Sequence, residues 1–336
     1  MSAMTVAEPR NEKGSDVVPR PTILYLDQNK WIDLARAARA PEDHIEDRAV
    51  LDRLCAAVEA GAISLPLTMS NLYETQKVSD LDLRAAIART QVVLSRGRVF
   101  RGRRRRLEVE GARVLASLYG KPWIEPDPDW VLSDLFFEAV AEAGDPALGL
   151  TFSQGDLDLI AAAPEAAMFE YLLSRDEAAR QHSLMMFETG VERLRANVET
   201  RRARHREQSL SMKRKIYSAL LFHGDQQALI SAADALGLPW RCFEDNNGAT
   251  LRKVVAETPL FAAEREIALK LEGQKRAIQV NDFCDMQNFT TVLPYADMIV
   301  AEKLFVNLAR QAGMRERFKA RLETRLDCLN EILDRW

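Results

Sequence analysis

The stretch that most constrains the fold is "TILYLDQNKWIDLAR", residues 22–36. Thr22 to Leu26 are β-branched, aromatic or apolar without strict alternation, the pattern of a strand buried on both faces of a parallel sheet. Trp31, Leu34 and Ala35 then fall at helical spacing, which predicts a turn into a helix directly after Asp27. A carboxylate at that turn sits at the carboxyl end of a strand, where open α/β sheets place their ligands. Taken alone, Asp27 is better explained as a helix N-cap. A site needs more acids.

The pattern continues as α/β. Val50, Leu51, Leu54 and Val58 share one helical face that Gly61 closes, and Ile63, Leu65 and Leu67 read as a short second strand. Thr68, Ser70 or Asn71 can cap a further helix carrying Glu74 in its first or second turn. From about Asp129 to Gly273 the chain reads as helical, with Phe187, Val191, Leu194 and Val198 on one face and a break at "PWRCFEDNNGAT". Strand and helix alternate again in residues 278–313. Asp282 and Asp285 share a helical face there, and Met298 to Ala301 form a strand ending at Glu302, followed by a helix with Phe305, Leu308 and Ala309. Near the C-terminus, Phe318, Leu322, Leu326, Leu329 and Leu333 keep helical spacing, while a last strand around Arg325 to Leu329 fits as well. The expected organisation is a disordered segment 1–21, an α/β part 22–128, a helical insertion 129–273 and a second α/β part 274–336.

Composition narrows the class. With 47% hydrophobic and 29% charged residues among 336, the chain can bury a core and stay in water. No apolar run approaches a membrane span, and residues 1–21 lack a signal-peptide core, so a cytoplasmic protein without a membrane partner is expected. Cys55, Cys242, Cys284 and Cys328 show no paired spacing and read as buried thiols, neither a disulfide framework nor a zinc site. The net charge of −4 excludes a general polycation, yet "RGRVFRGRRRR" places seven arginines in eleven residues. A solvated loop is the plain explanation. Like-charge repulsion favours a polyanion instead, with Arg101, Arg103, Arg104, Arg105 and Arg106 as phosphate contacts.

Asp27 and Glu302 both end apolar strands, and a parallel sheet would bring them to one edge. Glu74, Asp282 and Asp285 lie near helices leaving that edge. Converging carboxylates without matching cations repel one another and hold protons more tightly, and the usual remedy is a hard divalent cation, Mg²⁺ or Mn²⁺, on oxygen ligands. Asn29 is expected to support the site by hydrogen bonding. Asp297, at the other end of the strand from Glu302, is expected to fix the preceding turn, a supporting role.

In this order the motifs resemble the PIN domain family of metal-dependent nucleases. "YLDQNKW" is similar to its first strand and metal-binding aspartate, carried by Asp27; "LPLTMSNLYE" to its second strand, turn and helical glutamate, carried by Glu74. "NDFCDMQN" resembles the helix of the third acid, best matched by Asp285 with Asp282 as its neighbour. "PYADMIVAEKLF" resembles the strand ending in the fourth, where Glu302 stands for the more usual aspartate. The resemblance covers roughly residues 22–80 and 278–333, and the long helical section between Glu74 and Asp282 departs from compact members. It implies a three-layer α/β/α PIN-like fold with a parallel sheet, here with a large helical insertion. It also implies a divalent-metal-dependent endoribonuclease cutting single-stranded RNA, as in toxins or RNA-processing enzymes. Expected partners are nucleic acid, RNA first, and a protein partner or antitoxin on the helical insertion, with a homodimer as the candidate assembly.

Two other readings stand beside it. A metal-independent HEPN-type ribonuclease would use Arg175 and His182, with six residues between them on a helix. A non-enzymatic adaptor would use the helical section to bind a protein and the acids only as caps.

Overall fold

The computed structural model describes residues 20–335 except 146, 147, 150 and 175, so the expectation for residues 1–19 lies outside the described residues. The opening strand β1, Thr22–Leu26, runs straight into helix α1, Gln28–Arg39, with Asp27 between them. Helix α2, Ile45–Glu59, buries Val50, Leu51, Leu54 and Val58, and Gly61 follows at φ +69°. Strand β2 is only Ile63–Ser64. Leu67, expected in the same strand, instead bridges Val99, and helix α3, Met69–Lys77, starts directly afterwards on Thr68. Helix α4, Leu81–Ser95, strand β3, Val99–Phe100, and helix α5, Arg103–Tyr119, complete this part.

Strand β4, Leu132–Ser133, pairs antiparallel with β3, so the pairing crosses the expected boundary at residues 128/129. The helices that follow are α6, Gln154–Ala162, α7, Pro164–Leu173, α8, Glu177–Arg204, α9, Leu210–Gly224, α10, Gln226–Asp234, α11, Asp245–Glu257, and α12, Pro259–Glu272. The break expected near residue 245 is a left-handed step, with Asn246 and Asn247 at φ +53° and +54°. Helix α13, Val280–Val292, strand β5, Met298–Val300, helix α14, Lys303–Gln311, helix α15, Met314–Phe318, strand β6, Arg321–Glu323, and helix α16, Asn330–Leu333, close the chain. The last strand thus lies four residues before the stretch 325–329, where Leu326–Leu329 is a 3₁₀ turn.

The main sheet is parallel throughout, in the order β2-β1-β5-β6, with Leu24 opposite Met298 and Leu26 opposite Val300. Both its faces are covered. Leu24, Leu26, Met298 and Val300 point into a cluster with Trp31, Leu54, Ile87 and Leu172 from α1, α2, α4 and α7. Ile23, Tyr25, Ile299 and Leu322 point the other way, against Leu115, Phe261, Phe283 and Phe305 from α5, α12, α13 and α14. That explains the absence of alternation in β1: every residue after Thr22 is buried. Each large apolar side chain so buried contributes on the order of 1.5–3 kcal/mol, more than the roughly 1 kcal/mol of a helix cap. The fold is therefore mixed α/β, mostly helical, with a small parallel sheet.

The helical section shares this core. Val191, Val198, Leu229, Phe243 and Val254 belong to the same cluster as Ile23 and Ile299, α10 lies on α5, and α7 lies on α4. All four cysteines are free; Cys242 and Cys284 are buried, whereas Cys55 and Cys328 are only half-buried. Among the described residues, no helix is long and apolar enough to cross a membrane.

Candidate functional site

The strand order reverses at β1: the chain leaves it towards β2 and returns on its other side as β5. At such a reversal the crossovers diverge to opposite faces and leave a crevice beyond the strands' carboxyl ends. Asp27 and Glu302 stand there. The Asp27 backbone N–H donates to Val300 O at 2.9 Å, its Oδ1 accepts from Gln28 N at 2.9 Å and its Oδ2 accepts from Glu302 N at 3.3 Å. Asp27 is thus both cap and crevice acid, and is 6% exposed. Glu302 is exposed, and its Oε1 accepts from Asn29 Nδ2 at 2.5 Å. Glu74 comes from the second turn of α3, whose start is fixed by a reciprocal Thr68–Asn71 capping box. Its Oε2 is buried with no hydrogen-bond partner. Asp285, half-buried, comes from α13.

The charges around Asp27, Glu74 and Asp285 make each of the three harder to ionise. Burial first, and then Asp27, Glu74 and Glu302, push Asp285 up to about 9. Burial, with Asp27 and Glu302 adding to it against the opposing pull of Lys77, pushes Glu74 up to about 8. Burial raises Asp27 to about 6, with the Gln28 N–H opposing it and Glu302 adding to it. A small apolar group accounts for part of this desolvation: Tyr73, next to Glu74, and Cys284, next to Asp285, meet Leu184 and Phe187 of α8, and the Tyr73 and Phe187 rings stack at 3.7 Å. Among the described residues, no group of three or more His, Cys, Asp or Glu side chains is arranged to hold a metal ion. The donor chemistry nonetheless fits a hard cation: the four acids supply only oxygen, and Glu74 Oε2 lacks any partner.

No protein-family model, curated protein or solved structure matches the chain.

Other expected site residues stand elsewhere. Asp282 is buried, but both its oxygens are taken: Arg276 holds them at 2.6 and 2.8 Å, and Gln279 N donates to Oδ2 at 2.7 Å in a capping box. Asp282 therefore positions α13 and offers no open oxygen. Asp297 lies at the opposite, amino edge of the sheet, where it accepts from Ile23 N and from Arg20, both at 2.9 Å. His182 is exposed on α8, and Arg175 lies outside the described residues.

The arginine run is no loop. It forms β3 and the first turn of α5, and its charges are paired internally. Arg101 is held by Glu138 and Glu142, Arg103 by Asp225 and Glu264, and Arg104 by Glu108 and Asp145. Arg106 is 3% exposed and donates to the backbone oxygens of Arg101 and Thr291. Arg105 is exposed, 3.6 Å from Glu108. The repulsion noted in the sequence is relieved by carboxylates distant in the chain, which spacing alone does not reveal.

Sequence reasoning missed the support beneath the acids. Gln28 Nε2 donates to Thr75 Oγ1 at 3.0 Å, Thr75 Oγ1 donates to Gln91 Oε1 at 2.8 Å, and Thr68 Oγ1 reaches Asn71 at 2.9 Å and Asn288 at 2.5 Å. All are buried. The network ties α1, α3, α4 and α13, three of which carry or adjoin a site acid. One signal was available: Ile87, Gln91 and Leu94 share an i, i+4, i+7 face, so Gln91 is a polar residue at a core position. Tyr25 was also missed. It shares the Asp27 side of β1 by the i, i+2 rule, and its buried hydroxyl has no hydrogen-bond partner. Burial and then Asp27, Glu74 and Asp285 hold its proton firmly.

Proposed function

We propose that the protein is a PIN-like, divalent-metal-dependent endoribonuclease acting on single-stranded RNA. The observation that carries the reading is the placement of Asp27 and Glu302 at the carboxyl ends of adjacent strands, where the strand order reverses, with Glu74 and Asp285 electrostatically coupled to them. A structural role alone does not call for four carboxylates in one crevice, none of them in an ion pair among the described residues, since their mutual repulsion opposes folding.

Asp27, Glu74, Asp285 and Glu302 would hold Mg²⁺ or Mn²⁺. When bound, the metal supplies an activated water and positive charge for the developing phosphoryl oxygens. The chain's own contributions are positional. Asn29 orients the Glu302 carboxylate by donating to it, the Gln28 N–H orients Asp27, and the buried amide and hydroxyl network fixes α3 and α13 against α1. Tyr73, the neighbour of Glu74 on α3, stacks on Phe187 and so ties α3 to α8.

The test is cleavage of labelled RNA and DNA with Mg²⁺, with Mn²⁺ and with chelator, using the wild-type chain and Asp27→Asn. The substitution keeps shape and one cap acceptor but removes the charge. RNA cleavage that requires metal and falls at least about a hundredfold in Asp27→Asn, about 3 kcal/mol of transition-state stabilisation, is expected. Metal-independent cleavage, or near-normal activity of a folded Asp27→Asn chain, would overturn the assignment.

A further inference from the structure

With the arginine run paired inside the fold, the substrate backbone needs another cationic surface. The strongest is a cleft of about 1030 Å³ between the end of α8, the start of α9 and residues 269–277. Seven lysines and arginines line it against two glutamates, in a chain whose net charge is −4. Some of that charge is structural. Arg201 lies over the Tyr217 ring at 4.5 Å and is paired with Glu272, Arg195 is paired with Glu192, and Arg276 holds Asp282. Lys213, Lys275 and Arg206 are available. Lys213 donates only to the Arg206 backbone oxygen at 3.1 Å, and Lys275 is exposed; neither has a carboxylate partner among the described residues. Arg206 has only a long contact, at 3.8 Å, to Glu207, whereas Arg202 is spent on the rim, donating to the backbone oxygens of Arg276 at 2.9 Å and of Gln274.

Two elements lead from this cleft to the acids. Helix α8 stacks Phe187 on Tyr73, beside Glu74, and its Glu188 accepts from the Tyr73 hydroxyl at 3.2 Å. Thirteen residues later the same helix presents Arg201, a rise of roughly 20 Å. Helix α13 binds the rim residue Arg276 through Asp282 and carries Asp285 one turn further on.

We propose that this cleft binds the phosphate backbone of single-stranded RNA and feeds it along α8 to the carboxylates. The proposal rests on the nuclease reading for its destination, but its binding step can be measured without cleavage. A span of roughly 20 Å matches about six nucleotides of a stacked strand, at about 3.4 Å per phosphate. The free cations come from separate elements, α9 and the 273–277 segment, so they are spread as for a chain of phosphates. Convergence on one point would suit a single anion better.

The experiment is fluorescence anisotropy of a labelled twelve-nucleotide RNA with the full chain in chelator, from 50 to 200 mM salt. Lys213→Gln/Lys275→Gln should weaken binding roughly ten- to thirtyfold near 100 mM salt, and should flatten the slope of log affinity against log salt by about 1.4, for two lost single-strand phosphate contacts. Thermal unfolding checks the fold. If the pair is unstable, Lys275→Gln alone, in the exposed segment, should flatten the slope by about 0.7. An unchanged slope overturns the proposal, as does a larger loss from Arg104→Gln/Arg105→Gln. Tighter binding of poly-glutamate than of RNA at equal charge would assign the cleft to an acidic protein instead, and also overturns it. The two proposals fail separately. RNA that binds with the expected slope but stays uncut in Mg²⁺ and Mn²⁺ sinks the nuclease reading alone, whereas metal-dependent cleavage with an unaltered slope in the variants sinks the cleft alone.

Discussion

Glu74 carries electrostatic strain in the metal-free protein, with one oxygen buried and without a partner. Its folded pKa of about 8, like the value of about 9 for Asp285, lies above the ordinary carboxylate range. Between that range and about pH 9 the folded chain therefore binds more protons than the unfolded one, so these groups make stability fall as pH rises. Metal-free protein should melt at lower temperature at pH 9 than at pH 5, and Glu74→Gln should flatten that difference. Mg²⁺ should raise the melting temperature more at pH 9, because ligation needs the ionised acids. A melting temperature that Glu74→Gln leaves equally pH-dependent would count against the coupling. The two ends of β5 give a second contrast. Asp297→Ala strands the Ile23 N–H and should lower stability by about 1–2 kcal/mol while cleavage persists. Glu302→Gln should abolish metal-dependent cleavage with little change in denaturant midpoint. The reverse pattern would mean that the acid of β5 was assigned to the wrong end.

Among the elements, those with two buried faces or a clear helical stripe were legible in the sequence. β1, α1, α2 and β5 stand where the apolar spacing places them, because burial decides their pattern. Others depended on partners distant in sequence. Ile63, Leu65 and Leu67 look alike, yet only Ile63 sits in the sheet, since Leu67 is drawn off to Val99. β6 is three residues long and was hidden within a run that keeps helical spacing by coincidence. Asp282 looks like Asp285 one turn along, and the Arg276 side chain and the Gln279 N–H distinguish them. The junction of α4 and α7 supplies a test at this scale. Gly97 has φ +76°, and an added Cβ would meet the Pro164 backbone carbon at 2.6 Å. Gly97→Ala should therefore destabilise the fold by at least about 2 kcal/mol in urea unfolding, from left-handed strain and backbone overlap together. Wild-type stability would show that the two helices do not meet there.

At the level of the whole molecule, the helical section is bound to the sheet by a common core and by ion pairs across long separations. Arg103 joins the start of α5 to Asp225, between α9 and α10, and to Glu264 on α12. Arg103→Gln leaves two carboxylates facing each other with little exposure, and should lower stability by about 2 kcal/mol without altering the salt dependence of RNA binding. A changed salt slope at full stability would return the arginine run to the substrate surface. The pairing of β1 with β5 has a consequence for the life of the chain before it is finished. Asp27 and Glu302 lie 275 residues apart. At about 5–20 residues per second, synthesis of that interval takes on the order of half a minute. Throughout that time β1 lacks its central neighbour, and the nascent polypeptide holds only two of its four acids for most of the interval. On the nuclease proposal, this order shields the ribosome from its own product until the chain is nearly complete.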